Sequence, residues 1–134
     1  MDMPAAGELS SVVRGFIVRH LRSLEDLQVL AVMAEVDERW WDAGAAAQEI
    51  GATPWQAANI LEHLARHSLL DIRVTADVRY RFHPVDHELR AVALACVAAY
   101  RSAPIQIVHL LTSVRQRSIQ DFADAFRLRR DNGD

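Results

Sequence analysis

The chain has 134 residues, 51 % of them hydrophobic and 25 % charged, with a formal net charge of −3. That is the profile of one globular domain, or of a small domain with a helical appendix, and it excludes disordered and collagen-like chains. No stretch approaches the run of about eighteen uninterrupted apolar residues that a membrane span needs, and Met1-Asp2-Met3-Pro4 lacks the basic and apolar regions of a signal peptide.

A cytoplasmic location is therefore the expectation. One cysteine cannot form an internal disulfide, and a chain of this length buries enough surface to fold without a disulfide or metal staple. All fifteen basic residues are Arg, which fits the codon bias of a GC-rich genome better than a mechanism.

In chain order, residues 1–8 hold Pro4 and Gly7 and read as a loose terminus. From Leu9 to Leu21 the apolar Val12, Val13, Phe16, Ile17 and Leu21 recur near helical spacing, with Gly15 weakening that helix by about 1 kcal/mol against alanine. Residues 1–22 thus read as an N-terminal arm and helix. Ser23 is a good N-cap, followed by Glu25 and Asp26 in the first turn, where the helix dipole favours acids. Leu24, Leu27, Leu30, Ala31 and Ala34 carry that second helix to about Val36.

Asp37-Glu38-Arg39 is a polar break before Trp40-Trp41, which can add a short strand. Asp42 can cap a helix from Ala43 to about Ile50, and Gly51 stands where it ends. Thr53 is the next N-cap with Pro54 at the first helical position; Ala57, Ile60, Leu61 and Leu64 form the buried stripe, and the helix ends near His67. Two helices joined by a short turn containing Gly are the helix-turn-helix signature.

Strand-like sequence follows. Asp71-Ile72-Arg73-Val74 and Val78-Arg79-Tyr80-Arg81-Phe82 alternate apolar and charged residues about the short connection Thr75-Ala76-Asp77, which predicts a β-hairpin. Alternation places Ile72, Val74, Val78, Tyr80 and Phe82 on one face and Arg73, Arg79 and Arg81 on the other. Residues 23–83 form the predicted central domain. Pro84 to about Arg101 is an apolar helix, Pro104 opens another helical stretch, and Ser118 is expected to cap a last helix with Ile119, Phe122, Ala123 and Phe126 in one narrow stripe. Residues 84–131 read as a C-terminal extension for dimerisation or partner binding. Cys96, inside an apolar run without a basic neighbour, reads as a structural thiol. The fold class is mainly α with a small antiparallel hairpin.

The order helix, short strand, helix, helix, hairpin is that of a winged helix-turn-helix. Ala45-Ala46-Ala47-Gln48-Glu49-Ile50-Gly51-Ala52-Thr53-Pro54, then Ala57, Leu61, Leu64 and Leu69-Leu70 with the hairpin behind them, resemble bacterial winged-helix transcriptional regulators of the MarR and ArsR kind. The resemblance covers about sixty residues. It implies that the third helix of this domain lies in the major groove of double-stranded DNA and the hairpin on the flanking backbone. By position it makes Thr53, Trp55, Gln56, Asn59 and His63 the groove-facing residues and Arg73, Arg79 and Arg81 the wing contacts. Gln56 and Asn59 carry amides that pair bidentately with adenine, and Thr53 with the helix N-terminus suits a phosphate.

The sequence departs from that pattern at six positions. Ala58, Asn59 and His63 stand where such regulators often carry Arg, Glu62 adds a negative charge, Ser68 replaces the usual turn Gly, and Trp55 is bulky for a groove reader. The central domain holds ten Asp/Glu against five Arg, the opposite of the bias expected where phosphate neutralisation drives affinity.

Two functions are therefore expected. One is a dimeric, sequence-specific DNA-binding regulator. The alternative is a winged-helix protein–protein module whose acidic domain, exposed Trp55 and helix bearing Ile119, Phe122 and Phe126 serve another regulatory protein. The pairs His63/His67 and His83/His87 have a spacing that can share zinc but lack further ligands, so no metal and no cofactor is expected. Neither GxSxG, HExxH, a P-loop nor GxGxxG occurs, and no enzymatic activity is expected.

Overall fold

The computed structural model describes residues 10–131, without the side chains of Ser118 and of residues 126–131. Helix α1 (Ser11–His20) is capped by Ser10, whose Oγ accepts from Val13 N–H at 3.2 Å. It buries Val13, Phe16 and Ile17, and starts two residues later than the periodicity predicts. Helix α2 (Leu24–Glu35) is capped by Ser23 and carries the largest share of the core, including Leu27, Val29, Leu30 and Met33. Strand β1 (Trp40–Trp41) follows, then α3 (Ala43–Ile50) and α4 (Pro54–Arg66). As expected, Asp42 caps α3, accepting from Ala45 N–H at 2.7 Å. Gly51 takes a left-handed φ of 69°, which lets the chain turn directly into the cap of α4.

Strands β2 (Leu70–Val74) and β3 (Val78–Phe82) form the hairpin, and β1 adds to β3, giving an antiparallel sheet in the order β1-β3-β2. Trp40 pairs with Arg81 and Trp41 with Tyr80 across β1 and β3, while Leu70 faces Phe82 and Ile72 faces Tyr80 across the hairpin. Trp41, Leu70, Tyr80 and Phe82 are buried. Ile72, Val74 and Val78 share their face, as alternation requires, but extend past the core and are exposed.

Two boundaries differ from the sequence reading. The helix expected from Pro84, α5 (His87–Ser102), begins only after Asp86, which caps it through Leu89 N–H at 2.8 Å. The preceding residues are tied to the turn before β2: His83 and Val85 N–H donate to the carbonyls of Leu69 and Ser68, both at 3.0 Å, and a residue before proline avoids helical geometry. The two C-terminal helices are one, α6 (Pro104–Asp131). Residue 118 falls inside this helix and starts none, because no Gly or Pro interrupts residues 105–131 and mid-helix hydroxyls need no break. Thr112 and Ser113 show why, donating to the carbonyls four residues back at 2.8 and 3.1 Å.

Ser68 does adopt the awkward conformation that its position implied, with φ 63°. One cluster of buried side chains joins α1, α2, α4, the sheet, α5 and the first half of α6, where Ile107 and Leu111 are buried. Cys96 lies in that cluster, and burial pushes its thiol up to about 12, which leaves it unreactive. Among the described residues no single helix is long and apolar enough to cross a membrane.

Candidate nucleic-acid interface

The start of α4 is fixed by its sequence. Thr53 Oγ1 accepts from Gln56 N–H at 3.1 Å while Gln56 Oε1 accepts from Thr53 N–H at 2.9 Å, a reciprocal capping box, with Pro54 setting the first helical φ. Ala57, Ile60, Leu61 and Leu64 are buried against the core, so the opposite face must point out. Thr53, Trp55, Gln56 and Asn59 do so, and Trp55 is 75 % exposed. Gln56 has one amide oxygen committed to the cap, which leaves its NH2 for any further contact.

His63 does not join them. Trp55, Asn59, His63 and His67 are each four residues apart, and such a row winds by about 40° per step around a helix of 3.6 residues per turn. Two steps beyond Trp55 it has turned towards α1. His63 Nε2 donates to the carbonyl of His20 at 2.7 Å and lies 3.7 Å from Asp26 Oδ2. The expected groove-facing role of His63 is thus corrected to an inward one.

Behind it sits a polar network. Asp26 is fully buried, and its carboxylate accepts from Arg22 Nε and Nη2, both at 3.0 Å, and from Arg22 N–H at 2.8 Å. His20 and His67 bring their Nδ1 atoms to 2.9 Å, and the His63 and His67 rings meet at 4.3 Å between centroids, tilted by 44°. The His20 ring is held below its ordinary value by burial, with His67, Arg19 and His63 adding to the effect. Burial likewise lowers His67, helped by His63 and Arg22 and opposed by Asp26. His83 and His87 are exposed and take no part. Among the described residues no group of three or more His, Cys, Asp or Glu is arranged to hold a metal ion.

The three hairpin arginines lie on one sheet face, as alternation requires, but two are bound to acids of the same hairpin. Arg79 Nε donates to Asp77 at 2.9 Å and Arg81 Nη2 to Asp71 at 2.7 Å. Arg73 and Arg81 also lie over the Trp40 ring, at 4.5 and 4.7 Å from its centroid. The sheet thus presents a guanidinium–indole layer in which Arg73 has no acidic partner among the described residues.

Sequence reasoning misses one contributor. A shallow cleft beside the start of α4 is lined by Trp55, Gln56 and Asn59, by Arg22 from the α1–α2 junction, and by Arg115 from α6. No local pattern announces Arg115, because its proximity depends on how α6 crosses the core some sixty residues further on. On the distal half of α6, Ile119 and Phe122 are 61 % and 74 % exposed, and Phe126, predicted on the same stripe, lies outside the described side chains. Comparison with family models, characterised proteins and solved structures finds no match to this chain.

Proposed function

We propose that the chain is a cytoplasmic winged helix-turn-helix regulator that binds double-stranded DNA in sequence-dependent fashion, as a dimer. The observation that carries this reading is the uncovered start of α4, where Thr53, Trp55, Gln56 and Asn59 face solvent beside Arg22 and Arg115. Asn59 and the free NH2 of Gln56 have base-reading chemistry, and the arginine face of the hairpin has phosphate-binding chemistry. Dimerisation is assigned to the distal half of α6, whose exposed Ile119 and Phe122 continue the apolar run from buried Leu111. Selection from random duplexes at low salt tests the reading. It expects an enriched motif whose affinity falls steeply as salt is added; recovery of unenriched sequence would end it.

One set of contacts favours a second reading, a module for a protein partner. Asp71 and Asp77 already hold Arg81 and Arg79, so phosphate binding must compete with internal pairs. An exposed tryptophan is also a common anchor at protein interfaces. A stoichiometric protein partner that no longer binds after Trp55→Ala, with no duplex bound, favours this reading over the first.

A further inference from the structure

We infer that His20 and His67 form an acid-sensitive latch between α1 and α4, closed while either Nδ1 keeps its lone pair and opened when both rings are imidazolium. Two ring nitrogens at 2.9 Å are in hydrogen-bond contact, and such a contact requires one to donate and the other to accept. The neutral pair must therefore hold opposite tautomers, one ring protonated at Nδ1 and the other at Nε2. A first added proton leaves the shared N–H···N bond in place and adds charge to its donor. A second puts hydrogen on both facing nitrogens, and the approach at 2.9 Å becomes a repulsion between two cations.

The surroundings tip the balance against that second proton. Arg19 lies beside His20 on α1, and Arg22 faces His67 from the α1–α2 junction. His63, from α4, lies tilted against His67 and is a third ring in the same cluster. Asp26 of α2 is the acid nearest His67, but its carboxylate is already held by three donors from Arg22. At the start of α5, the cap Asp86 and Glu88 line the cleft that His20 borders, and both are exposed. Glu62 on the outside of α4 is paired with Arg66. The Phe16 ring, 4.9 Å from His20, offers no counter-charge.

The latch has a mechanical consequence. His20 is the last residue of α1, and α4 grips it twice, through His67 to the ring and through His63 to the carbonyl. Once the two rings part, the end of α4 keeps the single bond from His63 and the apolar stripe ending at Leu64. Both lowered rings bind protons more weakly in the folded chain than in the unfolded one. Their contribution is therefore full above the ordinary histidine value of 6.5 and declines as the pH falls below it. Two nitrogens alone make no closed metal site, so proton binding is the chemistry this geometry supports. The latch is independent of what α4 reads.

Ring 1H–15N spectra of the full chain, from about pH 8 to about pH 5, test it. Opposite tautomers for His20 and His67 are expected at the upper end. The two rings should then take up protons in two coupled steps, on the acid side of the ordinary histidine value of 6.5, and amide exchange at Arg66 and His67 should rise about tenfold as the second proton binds. His67→Gln should return His20 towards ordinary titration, and His20→Gln should do the same for His67, so that one unfolded variant leaves the other to decide. Identical tautomers, or titrations indifferent to the partner's replacement, would overturn the latch, as would stoichiometric zinc binding by the pair.

Discussion

The two ends of α4 carry polar side chains on one winding row and use them in opposite ways. At the start, Trp55 and Asn59 face solvent while Thr53 and Gln56 close the cap; at the end, His63 and His67 turn onto α1 and towards buried Asp26 with its half-exposed partner Arg22. A polar residue on the outer flank of an amphipathic helix is available for recognition only until the next element crosses that flank. Here α1 crosses it at about His63, which divides the helix into an outward and an anchored half.

Removing the anchor gives the largest expected effect. Arg22→Ala leaves a carboxylate with no exposure short of its main partner, and should cost about 3 kcal/mol, the low end for a broken buried pair because Arg22 itself is half exposed. Trp55→Ala, at the outward end, should change stability by less than about 0.5 kcal/mol. Urea midpoints at constant slope measure both; equal losses would erase the division of α4 into two halves. Thr53→Ala removes the hydroxyl half of the capping box and should cost about 1 kcal/mol, read as a fall in Tm, whereas Thr53→Asp should restore most of it.

The sequence makes the outward half legible and the anchored half only in part. Asp42, Thr53, Pro54 and Gly51 mark the helix ends through local chemistry, and period-two alternation sorts the hairpin correctly into faces. Local patterns say nothing about which distant element covers a flank. For that reason they do not correct the outward placement of His63 that the resemblance implies by position, and give no sign of Arg115 or of the joining of His20 to His67. The acids bound to Arg79 and Arg81 are within reach of such reasoning: Asp71 and Asp77 are on the same hairpin, and antiparallel register brings Asp71 opposite Arg81. Ser118 misleads for a simpler reason, since a cap residue inside an unbroken helical run has no helix to start.

A small effect of opposite sign concerns the turn that leaves the anchored end. Ser68 holds a left-handed φ of 63°, and Ser68→Gly should stabilise the chain by about 0.5 kcal/mol, strain relieved less the added entropy of glycine. Thermal unfolding detects it. A destabilised variant would mean that the Ser68 side chain contributes more than its conformation costs.

The claim that α4 reads DNA with its outward half is tested most directly by titrating a selected duplex into 15N-labelled protein and mapping the shifts. The account predicts changes at residues 53–59, at the Arg115 side chain and at the guanidinium groups of Arg73, Arg79 and Arg81, with His63 and His67 unmoved. Shifts confined to the distal half of α6, or none at any salt, would contradict it.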